Sequence, residues 1–187
     1  MLENMQEAIN KLQEQMELLM KKVLFLLKKR EATETSPEKD ESEPIDIPKK
    51  DMGRWIFLVA QSHLGKDIAK RENELGCAES VCKILNLSGV KIENYISTMR
   101  LFDALEKDDR FYRQGVPILK TLPGDIIISP TGYGQGVGHV GIAGEEDKIF
   151  SNNSKTFVFD DHLTKQGWYD YFSKERNFPI FCFRWRA

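Results

Sequence analysis

All three Trp, all five Tyr, all three Cys and all three His of this 187-residue chain lie after residue 50. Large apolar side chains supply most of the burial that offsets chain entropy, so a packed core has to come from residues 51–187. That length suits one domain, with the first 50 residues as an appendage. The chain is 41% hydrophobic and 10% aromatic, which excludes wholesale disorder. Basic residues number 27 and acidic residues 29, for a net charge of -2. That balance argues against a nucleic-acid partner, which needs a positive field. No apolar run reaches the roughly 18 residues of a membrane span. The opening MLENMQEAINKL lacks the basic start and apolar core of a secretory signal. Three cysteines make no paired framework and point to a reducing compartment.

Residues 1–30 carry an uninterrupted heptad seam. Leu2, Ile9, Met16 and Val23 fall at position a, and Met5, Leu12, Leu19 and Leu26 at position d. The segment has neither Gly nor Pro. This pattern predicts a coiled-coil helix, and hence a homo-oligomer. β-branched residues at a with Leu at d favour a parallel dimer, while Met20 and Leu27 at e keep a trimer or larger bundle open. The competing readings are an amphipathic helix packed on its own domain and a helix lying on a membrane surface, since Lys21, Lys22, Lys28, Lys29 and Arg30 flank apolar positions. Residues 31–50, EATETSPEKDESEPIDIPKK, hold three of the seven prolines and no aromatic. Such a stretch predicts a charged, disordered linker.

Residues 51–187 begin with helical patterns and end with strand patterns. RWIFLVAQSHL, closed by Gly65, predicts a first helix. A second starts at Gly76 or Cys77 and runs through AESVCKILNL, and a third covers about residues 96–106. After the Pro123-Gly124-Asp125 turn, IIIS, HVGIAG, KIFSNN, TFVFD and PIFCFRWR read as strands. WYDYF reads as a short helix or turn packing through Trp168 and Phe172. Helices followed by strands predict an α+β domain with an antiparallel sheet.

Cys77 is the candidate nucleophile. It follows a glycine at a helix start, where the dipole and unsatisfied N–H groups favour a thiolate and can receive an oxyanion. Cys82 lies five residues on, off the face of Cys77, and Cys182 alternates with Phe181 and Phe183; both read as packing residues. His139, in GVGHVGIAG at a strand start, is the candidate base. His63, at a helix end, and His162, beside two aspartates, stay open as alternatives. An orienting acceptor on the second imidazole nitrogen is expected on the next strand. Asn152 is preferred to Asn153 there, by alternation. The glycine-rich SPTGYGQGVGHVG lacks the Gly-Lys-Ser/Thr ending of a phosphate loop. The Cys and His spacings fit no metal site, and no cofactor is expected.

LGCAESVCKIL, LPGDIIIS, GHVGIAG and a strand ending in SNNS, in that order, resemble the NlpC-type branch of the papain-like cysteine peptidases and the related CHAP amidases. The resemblance covers residues 55–185. In that superfamily a Cys at a helix start is followed by a His at a strand start and a polar residue on the next strand. The common Asp-Cys-Ser-Gly is here Gly-Cys-Ala-Glu, and the third residue is Asn where His is frequent, which is closer to divergent phage-borne members. The resemblance implies hydrolysis of amide bonds in peptidoglycan peptides by Cys77, His139 and Asn152. It also implies a protein held in the cytoplasm until release, or carried in a virion, and acting at the cell wall. The competing readings are a catalytically inactive peptidase-like binding module, and an enzyme of the same mechanism acting as a transferase or deamidase.

Overall fold

Strand-forming runs on the C-terminal side of the domain assemble into a single antiparallel sheet. A computed structural model describes residues 49–69 and 76–186. The expected coiled coil at 1–30 lies outside the described residues, as does nearly all of the linker at 31–50. After a 3₁₀ turn at Lys49–Asp51 come three helices, α1 (Met52–Ser62), α2 (Gly76–Leu87) and α3 (Thr98–Lys107). Six strands follow: β1 (Phe111–Arg113), β2 (Ile126–Ser129), β3 (His139–Ala143), β4 (Lys148–Asn152), β5 (Phe159–Thr164) and β6 (Phe181–Trp185). Between β5 and β6 sit a short helix, α4 (Lys165–Trp168), and a π-helical turn, Tyr169–Glu175. The strand order is β1-β6-β2-β3-β4-β5, with every neighbour antiparallel. The α+β class expected from the sequence is therefore present.

Period-2 alternation sends the strand side chains into two layers. Ile126, Ile128, Val140, Ile142, Phe150 and Phe183 face α1–α3, where they meet Ile56, Phe57, Val81, Ile84, Leu101 and Leu105. Ile127, Ala143, Ile149 and Cys182 face the other way, against Ile118, Trp168, Phe172 and Phe178. β2 is buried along its whole length, because both of its faces are covered. That explains the continuous IIIS run. Ser97 caps α3, accepting a hydrogen bond from the Arg100 amide at 3.4 Å. Gly65 takes φ +80 just after α1, as a helix-ending glycine does.

Two expectations shift. TFVFD pairs only at its end: Phe157 adopts φ 58 within a turn, and pairing starts at Phe159, within the expected run, and continues to Thr164. β1 is a three-residue edge strand opposite β6, too short to leave a pattern.

The sheet's central strands are pinned at one end by a buried ion pair. Asp125, 2% exposed, accepts from Arg184 Nε at 2.8 Å and from a terminal nitrogen at 2.7 Å, and also from the Leu122 amide at 2.7 Å. Removing one partner of such a pair leaves the other charge buried and unpaired. Arg184→Ala is expected to lower unfolding free energy by about 3 kcal/mol in urea titration, against near-neutrality for a solvent-exposed control such as Lys120→Ala.

Candidate active site

The start of α2 is wedged against β4. A Cβ added at Gly76 would lie 2.7 Å from Asn152 Nδ2 and 2.9 Å from Ala69 Cβ, so only glycine fits there. The next residue, Cys77, is 6% exposed. The backbone amides of Val140, Ala78 and Cys77 itself act on its sulfur. Val140 directly follows His139 in β3. The β3–β4 ladder runs over Ile142↔Phe150 and Ala143↔Ile149. The strands stay in contact beyond those pairs: a Cβ at Gly141 would lie 2.9 Å from the Phe150 carbonyl oxygen and 3.2 Å from Ser151 Cβ, while Cys77 packs in the helix layer. The three amides favour the thiolate, but burial outweighs them and pushes the thiol up to about 11.

His139 stands on the face of β3 turned away from that layer, against Trp168 and Phe172. It shares a face of the sheet with Ser129, its register partner on β2. Its Nε2 and Ser151 Oγ are 3.1 Å apart. The ring stacks on Phe172, with centroids 5.8 Å apart and planes 4° from parallel, and leans on Trp168 at 5.4 Å. Trp168 is itself fixed by a 3.1 Å hydrogen bond from Nε1 to Ser129 Oγ. The π-helical turn carries Phe172 onto the ring, a use of this rare geometry common at functional sites. Burial depresses the imidazole to about 4, and the charge of nearby His162 acts in the same direction. With Nε2 committed to Ser151, Nδ1 is the nitrogen left for proton transfer. Among the described residues, no hydrogen bond joins the sulfur to either ring nitrogen. At neutral pH the two groups are a protonated thiol and a neutral imidazole.

The expectation that Asn152 orients the imidazole is corrected. Alternation turns Asn152 towards the helix layer, where its Oδ1 accepts from Ser80 Oγ at 3.4 Å and its amide packs on Gly76. Ser151, one residue earlier, faces His139. Asn153 closes the following turn, accepting from the Lys155 amide at 3.0 Å and donating to Asp160 at 3.1 Å. His63 bonds the Val59 carbonyl at 2.8 Å, as a helix-end residue, and His162 is paired with Asp160. Cys82 and Cys182 are buried, with thiols pushed up to about 11 and about 12 by desolvation. Ser151, Ser129 and the shielding role of Trp168 escaped the sequence reading. Counting in twos along KIFSN from the residues facing His139 would have found Ser151. Among the described residues no cluster of His, Cys, Asp and Glu fits a metal ion, and no helix is long and apolar enough to cross a membrane.

No family model matches the chain, and a search of curated proteins finds no match.

His139 binds a proton in the unfolded chain below its ordinary 6.5, but in the folded protein only below about 4. The unfolded state therefore gains protons first, and stability falls as pH drops from 6.5 towards 4. The loss attributable to His139 is expected to approach roughly 3 kcal/mol. Urea denaturation at pH 7 and pH 4 checks this: His139→Gln should lose less stability than wild type across that interval.

Proposed function

We propose that residues 51–187 form a papain-like, NlpC- or CHAP-type cysteine amidase domain that hydrolyses peptide amides of peptidoglycan. The observation that carries this reading is the placement of Cys77 at the start of α2, where the Val140 amide acts on its sulfur, with His139 the preceding residue of β3 and its Nε2 3.1 Å from Ser151 Oγ. The order of Cys at a helix start, His at a strand start and a polar residue on the next strand agrees with the superfamily it resembles. The peptidoglycan substrate rests on that resemblance.

The chemistry follows from the protonation states. As Cys77 Sγ attacks the amide carbonyl carbon, His139 Nδ1 takes the thiol proton. The oxyanion forms close to the helix-start amides of Cys77 and Ala78, which are suited to stabilise it. Nδ1 then returns the proton to the departing amine, leaving a thioester on Cys77. Water, deprotonated by the same nitrogen, adds to the thioester carbonyl; the C–S bond then breaks, Nδ1 returns its proton to the departing Cys77 sulfur, and the acid product leaves. Because the imidazole must be neutral, the acid limb of kcat/KM should lie near pH 4 rather than 6.5.

Release of new amino groups from purified peptidoglycan tests the proposal. Wild type should release them, Cys77→Ala should release none above background, and Asn152→Ala should keep more activity than Ser151→Ala. Equal release by wild type and Cys77→Ala would contradict the mechanism.

One observation favours a second reading, a binding module on a peptidase-like fold. The sulfur is 6% exposed and its thiol is raised to about 11. Under that reading the protein sediments with cell walls but releases no amines, and a thiol-directed substrate analogue labels Cys77 no faster than Cys82 or Cys182.

The heptad seam at 1–30 supports homo-oligomerisation, which multiplies weak wall contacts. Deleting residues 1–30 should reduce the solution mass to that of one chain by light scattering. An unchanged number of chains per particle would refute the assignment.

A further inference from the structure

A second gathering of polar groups lies far from Cys77 and His139. Asp125 and Arg184 stand at the end of the β2–β3 hairpin where Ile126 pairs with Ile142, whereas His139 pairs with Ser129 at the other end. Four residues of extended chain, about 13 Å, separate the two ends. Here the start of α1, the turn before β2 and the last residues of β6 enclose a half-open cleft of about 390 Å³, a ligand-sized space. Its walls are tightly packed. Gly124, at φ +92, lies so close to α1 that an added Cβ would meet the Gly53 carbonyl oxygen at 1.9 Å. Trp185 meets Phe111 edge to face, with centroids 5.3 Å apart.

The cleft offers cations and apolar surface but no free carboxylate. Both oxygens of Asp125 accept from Arg184, and one also accepts from the Leu122 amide. Lys50 is exposed on the rim and has no ion-pair partner among the described residues. Arg54 gives one of its five guanidinium N–H groups to Glu145 at 2.9 Å. That pair is exposed by 54% and 56% on its two sides, so a competing anion displaces it at little cost. The indole N–H of Trp185, itself buried, also lacks an acceptor. Tyr112, 38% exposed, and Leu122, 54% exposed, form the apolar wall with Pro123. The Arg186 guanidinium, 5.6 Å from the Tyr112 ring centroid, adds positive charge on that side.

We propose that this cleft is a second binding site, for a small carboxylate with an apolar body, of the size of an acylated amino acid. Lys50 and Arg54 are four residues apart on a continuous helical run and both face the cleft, so together they receive the carboxylate. The body lies against Tyr112, Leu122 and Pro123. Lys50, Arg54, Arg184 and Arg186 outnumber Asp125 and Glu145, which favours an anion. A glycan or a nucleobase brings many donors, and the cleft's one side-chain carboxylate is already paired. A bare inorganic anion leaves the apolar wall unused. The assignment does not depend on Cys77 being a nucleophile.

Titration of the isotope-labelled full chain with N-acetylphenylalanine, followed by amide NMR, tests it. Saturable shifts are expected at Gly53, Arg54 and Leu122, and none at Val140 or Ser151. N-acetylphenylalaninamide, the same body without the charge, and inorganic phosphate, a charge without the body, should each bind about tenfold more weakly or worse. Lys50→Gln should weaken binding about fivefold, and Lys50→Gln with Arg54→Gln about twentyfold. Lys155→Gln, in the turn at the other end of the sheet, and Cys77→Ala should bind as wild type does. Absence of shifts at the cleft would overturn the inference. Equal binding of the amide would reduce the cleft to an apolar groove, and equal binding of phosphate to an unspecific anion site; either result overturns it. These ligand comparisons use wild type, so they decide the matter even if a variant fails to fold.

Discussion

The packing of α2 against β3 is the contact on which the proposed chemistry depends. It brings a helix N-terminus, with its unsatisfied amides, and the Val140 amide to act on the Cys77 sulfur. Glycine at position 76 makes the approach possible, since a single methyl there would meet both Asn152 and Ala69. The two layers of the core then do separate jobs. The helix layer carries Cys77 and Asn152. The opposite layer carries His139, Ser151 and the aromatic wall of Trp168 and Phe172. Among the described residues no hydrogen bond joins Cys77 to His139.

Two energetic effects compete at Cys77. Backbone amides stabilise a thiolate, and desolvation opposes it more strongly. Desolvation equally opposes an imidazolium on His139. Both groups are thereby kept neutral, so under the proposed mechanism the proton would move when attack occurs rather than being transferred in advance. On that proposal the pair becomes reactive only when a bound carbonyl and the helix-start amides share the developing charge.

Much of this was legible in the sequence. Gly76-Cys77 marked a helix start because a break residue precedes a periodic apolar run, and IIIS and HVGIA marked strands by run length. The class, the helix-then-strand order and the location of His139 at a strand start all follow from such local signals. The third residue did not, because side-chain chemistry and strand parity pointed different ways. Asn152 offers an amide oxygen, the commoner orienting group, yet parity sends it to the helix layer and leaves a serine facing the ring. β5 began later than its apolar pattern because Phe157 is spent in a left-handed turn.

The central claim is that Cys77 becomes acylated with His139 as its base. Acid quenching of the full chain during turnover of a peptidoglycan stem peptide, followed by intact-mass and peptide mapping, tests it directly. The account expects one acyl group on Cys77, released by hydroxylamine, and none in His139→Ala. An adduct absent from Cys77, or spread equally over Cys82 and Cys182, would contradict it.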